Sequence, residues 1–273
     1  MRRKLPWIAA LGLACTAGLA GPETMTIVAY NVESGGAQAA SIAREIEAID
    51  DVDIWGFSEL ASQRWLEEFE RAAEKAAGAP FGTILGTTGK SNLPNRDSDL
   101  LALLYREDKL EKRDQLELHR INDWAHRSPL VAEFRLKKAE RTFAVVLNHL
   151  ASRNAKLRIQ QSRQLRDWAS RRDEPTVMIG DFNYPWKIGA SGADPPQGFN
   201  ELTRGGLLSW VRPAKLVHTW CGRAKDSILD FIFVNAAARS WNGKSDVIEV
   251  NCAKSSESAS DHRPVRVVFQ VPQ

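Results

Sequence analysis

Apolar runs of strand length recur along this 273-residue chain, and several stop abruptly at a polar side chain. Thr26 to Tyr30 stops at Asn31, and Ile54 to Phe57 stops at Ser58-Glu59. Phe143 to Leu147 stops at Asn148-His149, and Thr176 to Ile179 stops at Gly180-Asp181-Phe182-Asn183. Short continuous apolar runs suit strands buried within a fold. If their ends share one rim, that rim gathers Asn, Glu, His, Asp and Asn on a rigid scaffold. Each residue alone has a plain structural role. Asn31 can shape a turn, Glu59 can sit in the first turn of a helix, His149 can be a core histidine, and Asx turns close many strands. Their joint occurrence points to a site.

Helical periodicity separates the first strands. Ala37 to Ile49 aligns Ile42, Ile46 and Ile49, and Gln63 to Ala77 aligns Trp65, Phe69 and Ala72. The pattern then predicts strands at Leu100 to Tyr105, Leu130 to Leu136 and Thr142 to Leu147, and a helix at Leu157 to Trp168. The last third carries strands at Ile228 to Val234, Asp246 to Val250 and Pro264 to Val271. Gly86 to Asn95 and Asn183 to Phe199 read as loops. Few helices among many strands predict an α/β sandwich, with two sheets face to face and helices outside.

The first twenty residues stand apart. Arg2-Arg3-Lys4 is a basic start, Trp7 to Ala14 is a short apolar stretch, and Gly18-Leu19-Ala20 is a small-residue exit. This predicts a secretory signal peptide over 1–20, a domain over 21–273, and a periplasmic or secreted protein. Its apolar run is too short to span a membrane. A lipidated Cys15 fits less well, because Gly12 stands where a larger aliphatic residue is usual. Whole-chain Lys+Arg is 37 and Asp+Glu is 34, and the signal holds three basic and no acidic residues. The remainder therefore balances, so bulk charge does not argue for nucleic acid. Cys221 and Cys252 remain as an even pair in an exported chain, which predicts a disulfide worth about 3–4 kcal/mol by chain entropy.

Two further residues belong together. Asp230 interrupts the apolar run Ile228 to Ile232, and a buried carboxylate needs a partner. His262, in Ser260-Asp261-His262, can supply it.

In order along the chain stand Tyr30-Asn31-Val32-Glu33, Ser58-Glu59-Leu60, Leu104-Tyr105-Arg106, Arg127-Ser128-Pro129-Leu130 and Asn148-His149-Leu150. Gly180-Asp181-Phe182-Asn183, His218-Thr219-Trp220, Leu229-Asp230-Phe231 and Ser260-Asp261-His262-Arg263-Pro264 follow. This series resembles the endonuclease/exonuclease/phosphatase superfamily, the DNase I-like proteins, over nearly all of 21–273. The resemblance implies a four-layer sandwich of two mixed sheets and a metal-dependent phosphoester hydrolase. The implied cofactor is magnesium or manganese, bound by Glu59 with Asn31 and Asp261. Oxygen ligands suit such ions. It implies catalytic roles for His149, Asp181, Asn183, Asp230 and His262. Asp181 and Asn183 would orient water and a phosphate oxygen, and Asp230 would orient His262. Asp99 would partner His149, and Arg127 would bind phosphate or brace the site.

The implied substrate is a nucleic acid, DNA or RNA, cleaved by a monomer. A phospholipase C-like or small-phosphoester hydrolase is the alternative, and a non-catalytic binding protein is a third. Two residues depart from the DNase I-like pattern. Glu33 stands where those enzymes use a basic residue, and Asp97 stands near their groove-stacking tyrosine. Arg64, Lys90, Arg96, Arg153, Lys156 and Lys187 are the candidate backbone contacts. Trp186 could stack on a base or pack in the core.

Overall fold

A computed structural model describes residues 21–33, 35–90, 98–122, 127–189, 194–222, 227–250, 252 and 259–273. The predicted signal peptide, Arg96 and Asp97 lie outside the described residues.

The chain opens with β1 (Glu23–Asn31), α1 (Ala39–Glu47), β2 (Ile54–Leu60), α2 (Gln63–Ala77), β3 (Phe81–Leu85) and β4 (Leu100–Arg106). It continues through β5 (Leu110–Glu117), β6 (Leu130–Leu136), β7 (Arg141–His149), α3 (Ala155–Ala169) and β8 (Thr176–Lys187). It closes with α4 (Gln197–Thr203), β9 (Leu208–Trp210), β10 (Ser227–Asn235), α5 (Ala236–Arg239), β11 (Lys244–Val247) and β12 (Val265–Val271).

The strands form two six-stranded sheets, ordered β11-β12-β1-β2-β4-β3 and β5-β6-β7-β8-β10-β9. Each sheet is mixed. β1 and β2 are parallel in one, β7 and β8 are parallel in the other, and the remaining pairs are antiparallel. Parallel neighbours need a crossover, which α1 and α3 provide. The carboxyl ends of the parallel strands are where α/β sheets usually bind ligands. The parallel pairings end at Asn31 opposite Ser58, with Glu59 next, and at His149 opposite Asp181.

Alternation sorts the apolar side chains into three cores. Ile27, Ala29, Ile54, Phe134, Val145, Leu147, Ile179 and Ile232 meet between the sheets. Val28, Tyr30, Trp55 and Phe57 face α1 and α2, and Val146, Met178, Phe182, Phe231 and Phe233 face α3 and α4. The result is the expected four-layer α/β sandwich. Each large side chain buried in these cores contributes about 1.5–3 kcal/mol. No helix among the described residues is long and apolar enough to cross a membrane.

The region expected to be a loop over Asn183 to Phe199 differs. β8 continues to Lys187, because Trp186 and Lys187 pair with Ile228 and Ser227 of β10. Helix α4 then begins at Gln197. Trp186 packs on Phe199 and Trp210, with ring centroids 4.9 and 5.0 Å away, so it serves the outer core. β11 lies over Lys244–Val247, where Asp246 to Val250 was expected, so it starts two residues earlier and ends three earlier.

Candidate active site

Asn31 closes β1 and is buried. Its Nδ2 donates to Glu59 Oε1 at 2.9 Å and to Asp181 Oδ2 at 3.2 Å, which joins the rims of the two sheets. Glu59 occupies a bulge where the β2–β4 register slips between Phe57 and Leu60, and its φ is 56°. The bulge re-aims the side chain, leaving it 31% exposed. Since α2 begins at Gln63, Glu59 is not in a helical first turn.

Strand β8 places Asp181 at the centre, opposite His149 on β7 and Asp230 on β10. Gly180 makes this approach possible. Its φ is 117°, and a Cβ there would lie 2.1 Å from the Asn148 carbonyl oxygen. Asn183 has φ 52°, within the stretch where the β8–β10 register slips. Its backbone N–H donates to Asp181 Oδ1 at 2.7 Å, and its Nδ2 donates to the Leu150 carbonyl at 3.1 Å. Asn183 thus steadies Asp181 as well as lining the rim.

The sequence pairing of Asp230 with His262 holds. His262 Nδ1 lies 2.8 Å from Asp230 Oδ2, and its Nε2 lies 3.9 Å from Asp181 Oδ2 and 3.8 Å from Asp261 Oδ1. Burial alone would lower the pKa of this imidazole. Asp230, and behind it Asp181 and Asp261, outweigh that effect and raise it to about 10. Asp181 is shifted up from the usual carboxylate range by burial and by the Asp230 charge, against the opposing pull of the two histidines.

His149 completes the cluster. Its Nε2 lies 3.5 Å from Asp181 Oδ2 and 3.6 Å from Glu59 Oε1, and its Nδ1 lies 3.3 Å from Asp99 Oδ1. Asp99 is held close by Gly89, whose φ of 88° and missing Cβ admit the Asp99 carbonyl. Arg127 Nη1 pairs with Asp99, Nε donates to the His149 carbonyl at 3.1 Å, and Nη2 reaches the Leu150 carbonyl at 3.5 Å. Of its two expected roles, this geometry is that of a brace.

The donor set fits a hard divalent cation. The Glu59 and Asp181 carboxylates converge on the Asn31 Nδ2, the Asn31 Oδ1 accepts the Glu33 N–H at 3.0 Å, and ligand atoms of Glu59, His149 and Asp181 lie within 4.8 Å of one another. Asp230 Oδ1 is buried and has no hydrogen-bond partner among the described residues. Asp261, expected as a ligand, is in neither the group of Glu59, His149 and Asp181 nor that of Asp181, Asp230 and His262; it faces His262, with its Oδ2 accepting the Trp220 indole N–H at 3.1 Å.

Cys221 and Cys252 form the expected disulfide, with Cα atoms 5.8 Å apart. Two residues at the site carry roles that sequence reasoning left unassigned. Ser260 Oγ donates to the Asn31 carbonyl at 2.6 Å and accepts the His262 N–H at 2.9 Å, binding the last motif to the first. The signal was present, since a Ser side chain commonly accepts the backbone N–H two residues on. Trp220, seen only as part of a tripeptide, is the second.

The chain matches the model of the Endonuclease/Exonuclease/phosphatase family over residues 28–262. Its fold is similar to that of an endonuclease/exonuclease/phosphatase family protein from Bacteroides thetaiotaomicron, with TM-score 0.66 and 19% identity, covering 93% of this chain and 100% of that one. It is also similar to TDP2 from D. rerio complexed with single-strand DNA product, with TM-score 0.66 and 15% identity over 90% and 98% of the two chains. A third similar structure is a Bacteroides thetaiotaomicron VPI-5482 mannosyl-6-phosphatase, with TM-score 0.59 and 18% identity over 89% and 98%. No curated protein sequence matches significantly. The chain belongs to the endonuclease/exonuclease/phosphatase family and is a phosphoester hydrolase.

Proposed function

We propose that this protein is an exported, magnesium- or manganese-dependent phosphodiesterase that hydrolyses DNA or RNA. It acts as a monomer, in the periplasm or outside the cell, after residues 1–20 are removed to leave a domain over 21–273. One observation carries the hydrolytic reading: the Asp181 carboxylate lies between the Nε2 atoms of His149 and His262, beside the partly exposed Glu59.

Each residue has a task in that reaction. Glu59, Asn31 and Asp261 would hold the cation, which when bound offsets negative charge on the phosphate. His262, kept cationic by Asp230, donates a hydrogen bond from Nε2 to a phosphate oxygen. A group already protonated at neutral pH cannot accept water's proton. Asp181, a stronger base than an ordinary carboxylate, accepts it at Oδ2. Asn183 holds Asp181 through its backbone N–H. His149, oriented by Asp99 and Arg127, donates to the same phosphate.

Nucleic acid is favoured by exposed cations in the segments that connect the strands. Arg64 follows β2, Lys90 lies between β3 and β4, and Arg153 and Lys156 follow β7. A backbone of regular negative charge suits such a set. TDP2, of similar fold, holds a DNA product. The Cys221–Cys252 bridge supports an oxidising location. A small-phosphoester substrate is the second reading, favoured by the acid Glu33 two residues from Asn31 and by the phosphatase of similar fold.

The test is a panel of plasmid DNA, RNA, sphingomyelin and bis-p-nitrophenyl phosphate, each with magnesium or EDTA. Magnesium-dependent cleavage of DNA or RNA at the highest kcat/KM is expected. Preference for sphingomyelin or a small phosphoester would move the protein to the second reading.

A further inference from the structure

The short segment Thr219–Cys221 belongs to neither sheet, yet it holds both halves of the His262 cluster. Thr219 Oγ1 accepts the backbone N–H groups of Leu229 and Asp230, at 2.9 and 3.2 Å. The Thr219 carbonyl accepts the Arg263 N–H at 2.7 Å, and Trp220 forms a bridge with His262. The Cys221 N–H donates to the Asp261 carbonyl at 2.7 Å, and its sulfur is bonded to Cys252. Trp220 adds a side-chain hydrogen bond, from its indole N–H to Asp261 Oδ2 at 3.1 Å.

An indole N–H only donates, so it selects one oxygen of the carboxylate and fixes the rotation of that group. With Oδ2 engaged, Asp261 Oδ1 is the oxygen that faces His262 Nε2, at 3.8 Å. Without the indole, the carboxylate could turn about its own axis. Without the disulfide, the segment would keep only its hydrogen bonds to two separate parts of the chain.

We infer that Trp220 is a positioning residue that fixes the Asp261 carboxylate for metal binding, and that the Cys221–Cys252 disulfide holds Trp220 in place. The inference rests on the reading of Asp261 and His262 as parts of the active site.

Trp220→Phe keeps the ring and deletes the N–H. The expected results are a Mn2+ dissociation constant about ten- to a hundredfold higher, by calorimetry without substrate, and a similar fall in kcat. KM and the circular dichroism spectrum are expected to stay near wild type. Opening the disulfide, by Cys221→Ser with Cys252→Ser, is expected to speed amide hydrogen exchange at Trp220 and at Arg263, while Val145 and Met178 exchange as before. If the double variant fails to fold, wild-type protein reduced under native conditions gives the same readout. Wild-type Mn2+ affinity in Trp220→Phe, in a series where His262→Ala is inactive, would overturn the positioning role. Unchanged exchange at Arg263 in fully reduced, folded protein would overturn the role of the disulfide. An active His262→Ala would instead remove the reading of the site on which the inference rests.

Discussion

His262 Nδ1 and Asp230 Oδ2 lie 2.8 Å apart, and both side chains are buried where β10 meets the loop before β12. The pairing explains how an acid can stand inside the apolar run Ile228 to Ile232. It also keeps the imidazole cationic despite its burial.

That pair links stability to pH. Its folded pKa of about 10 exceeds the ordinary histidine value of 6.5, so the folded state binds the proton more tightly than the unfolded chain does. The stabilisation is therefore full below pH 6.5 and is lost as pH rises through 10. Asp230→Asn is expected to lower stability by about 1.5–3 kcal/mol at pH 6, with a smaller deficit at pH 10. Urea unfolding of both proteins at the two pH values checks this, and a deficit that grows with pH would oppose it.

Arg127 separates bracing from substrate binding. Its guanidinium is directed at Asp99 and at the carbonyls of His149 and Leu150. Lysine cannot reproduce that fork. Steady-state kinetics of Arg127→Lys are expected to show kcat about tenfold lower with KM within about twofold of wild type. A raised KM with kcat preserved would assign Arg127 to the phosphate.

Gly180→Ala tests the close approach of β8 to β7. The added Cβ would strike the Asn148 carbonyl, and the φ of 117° would be strained. A loss of about 1–3 kcal/mol in chemical unfolding is expected, with reduced turnover as Asp181 shifts. Wild-type stability would mean that the strand accommodates the methyl group easily.

The central strands were legible because burial on both faces leaves an unbroken apolar run, as at Thr176 to Ile179. The strands that pattern alone missed, β3, β5 and β9, all lie at sheet edges. In β5 only Leu110 is buried, so Glu111, Lys112, Arg113 and Asp114 show no apolar alternation. The rim residues Asn31, Glu59, His149 and Asp181 were visible as polar stops to apolar runs. The extension of β8 was hidden because Asn183 and Pro185 are ordinary loop residues, and only pairing with Ser227 and Ile228 carries the strand through them. Trp220 was hidden for a different reason: its partner Asp261 is distant in sequence, and no local pattern encodes an indole-to-carboxylate hydrogen bond.

Metal-dependent phosphodiester hydrolysis through His262 is the central claim. It is tested by the initial rate on bis-p-nitrophenyl phosphate and plasmid DNA for wild type and His262→Ala, each with magnesium or EDTA. Wild type is expected to turn over with magnesium and to stop in EDTA, while folded His262→Ala falls by at least about a hundredfold. Wild-type turnover that persists in EDTA, or full activity in His262→Ala, would contradict it.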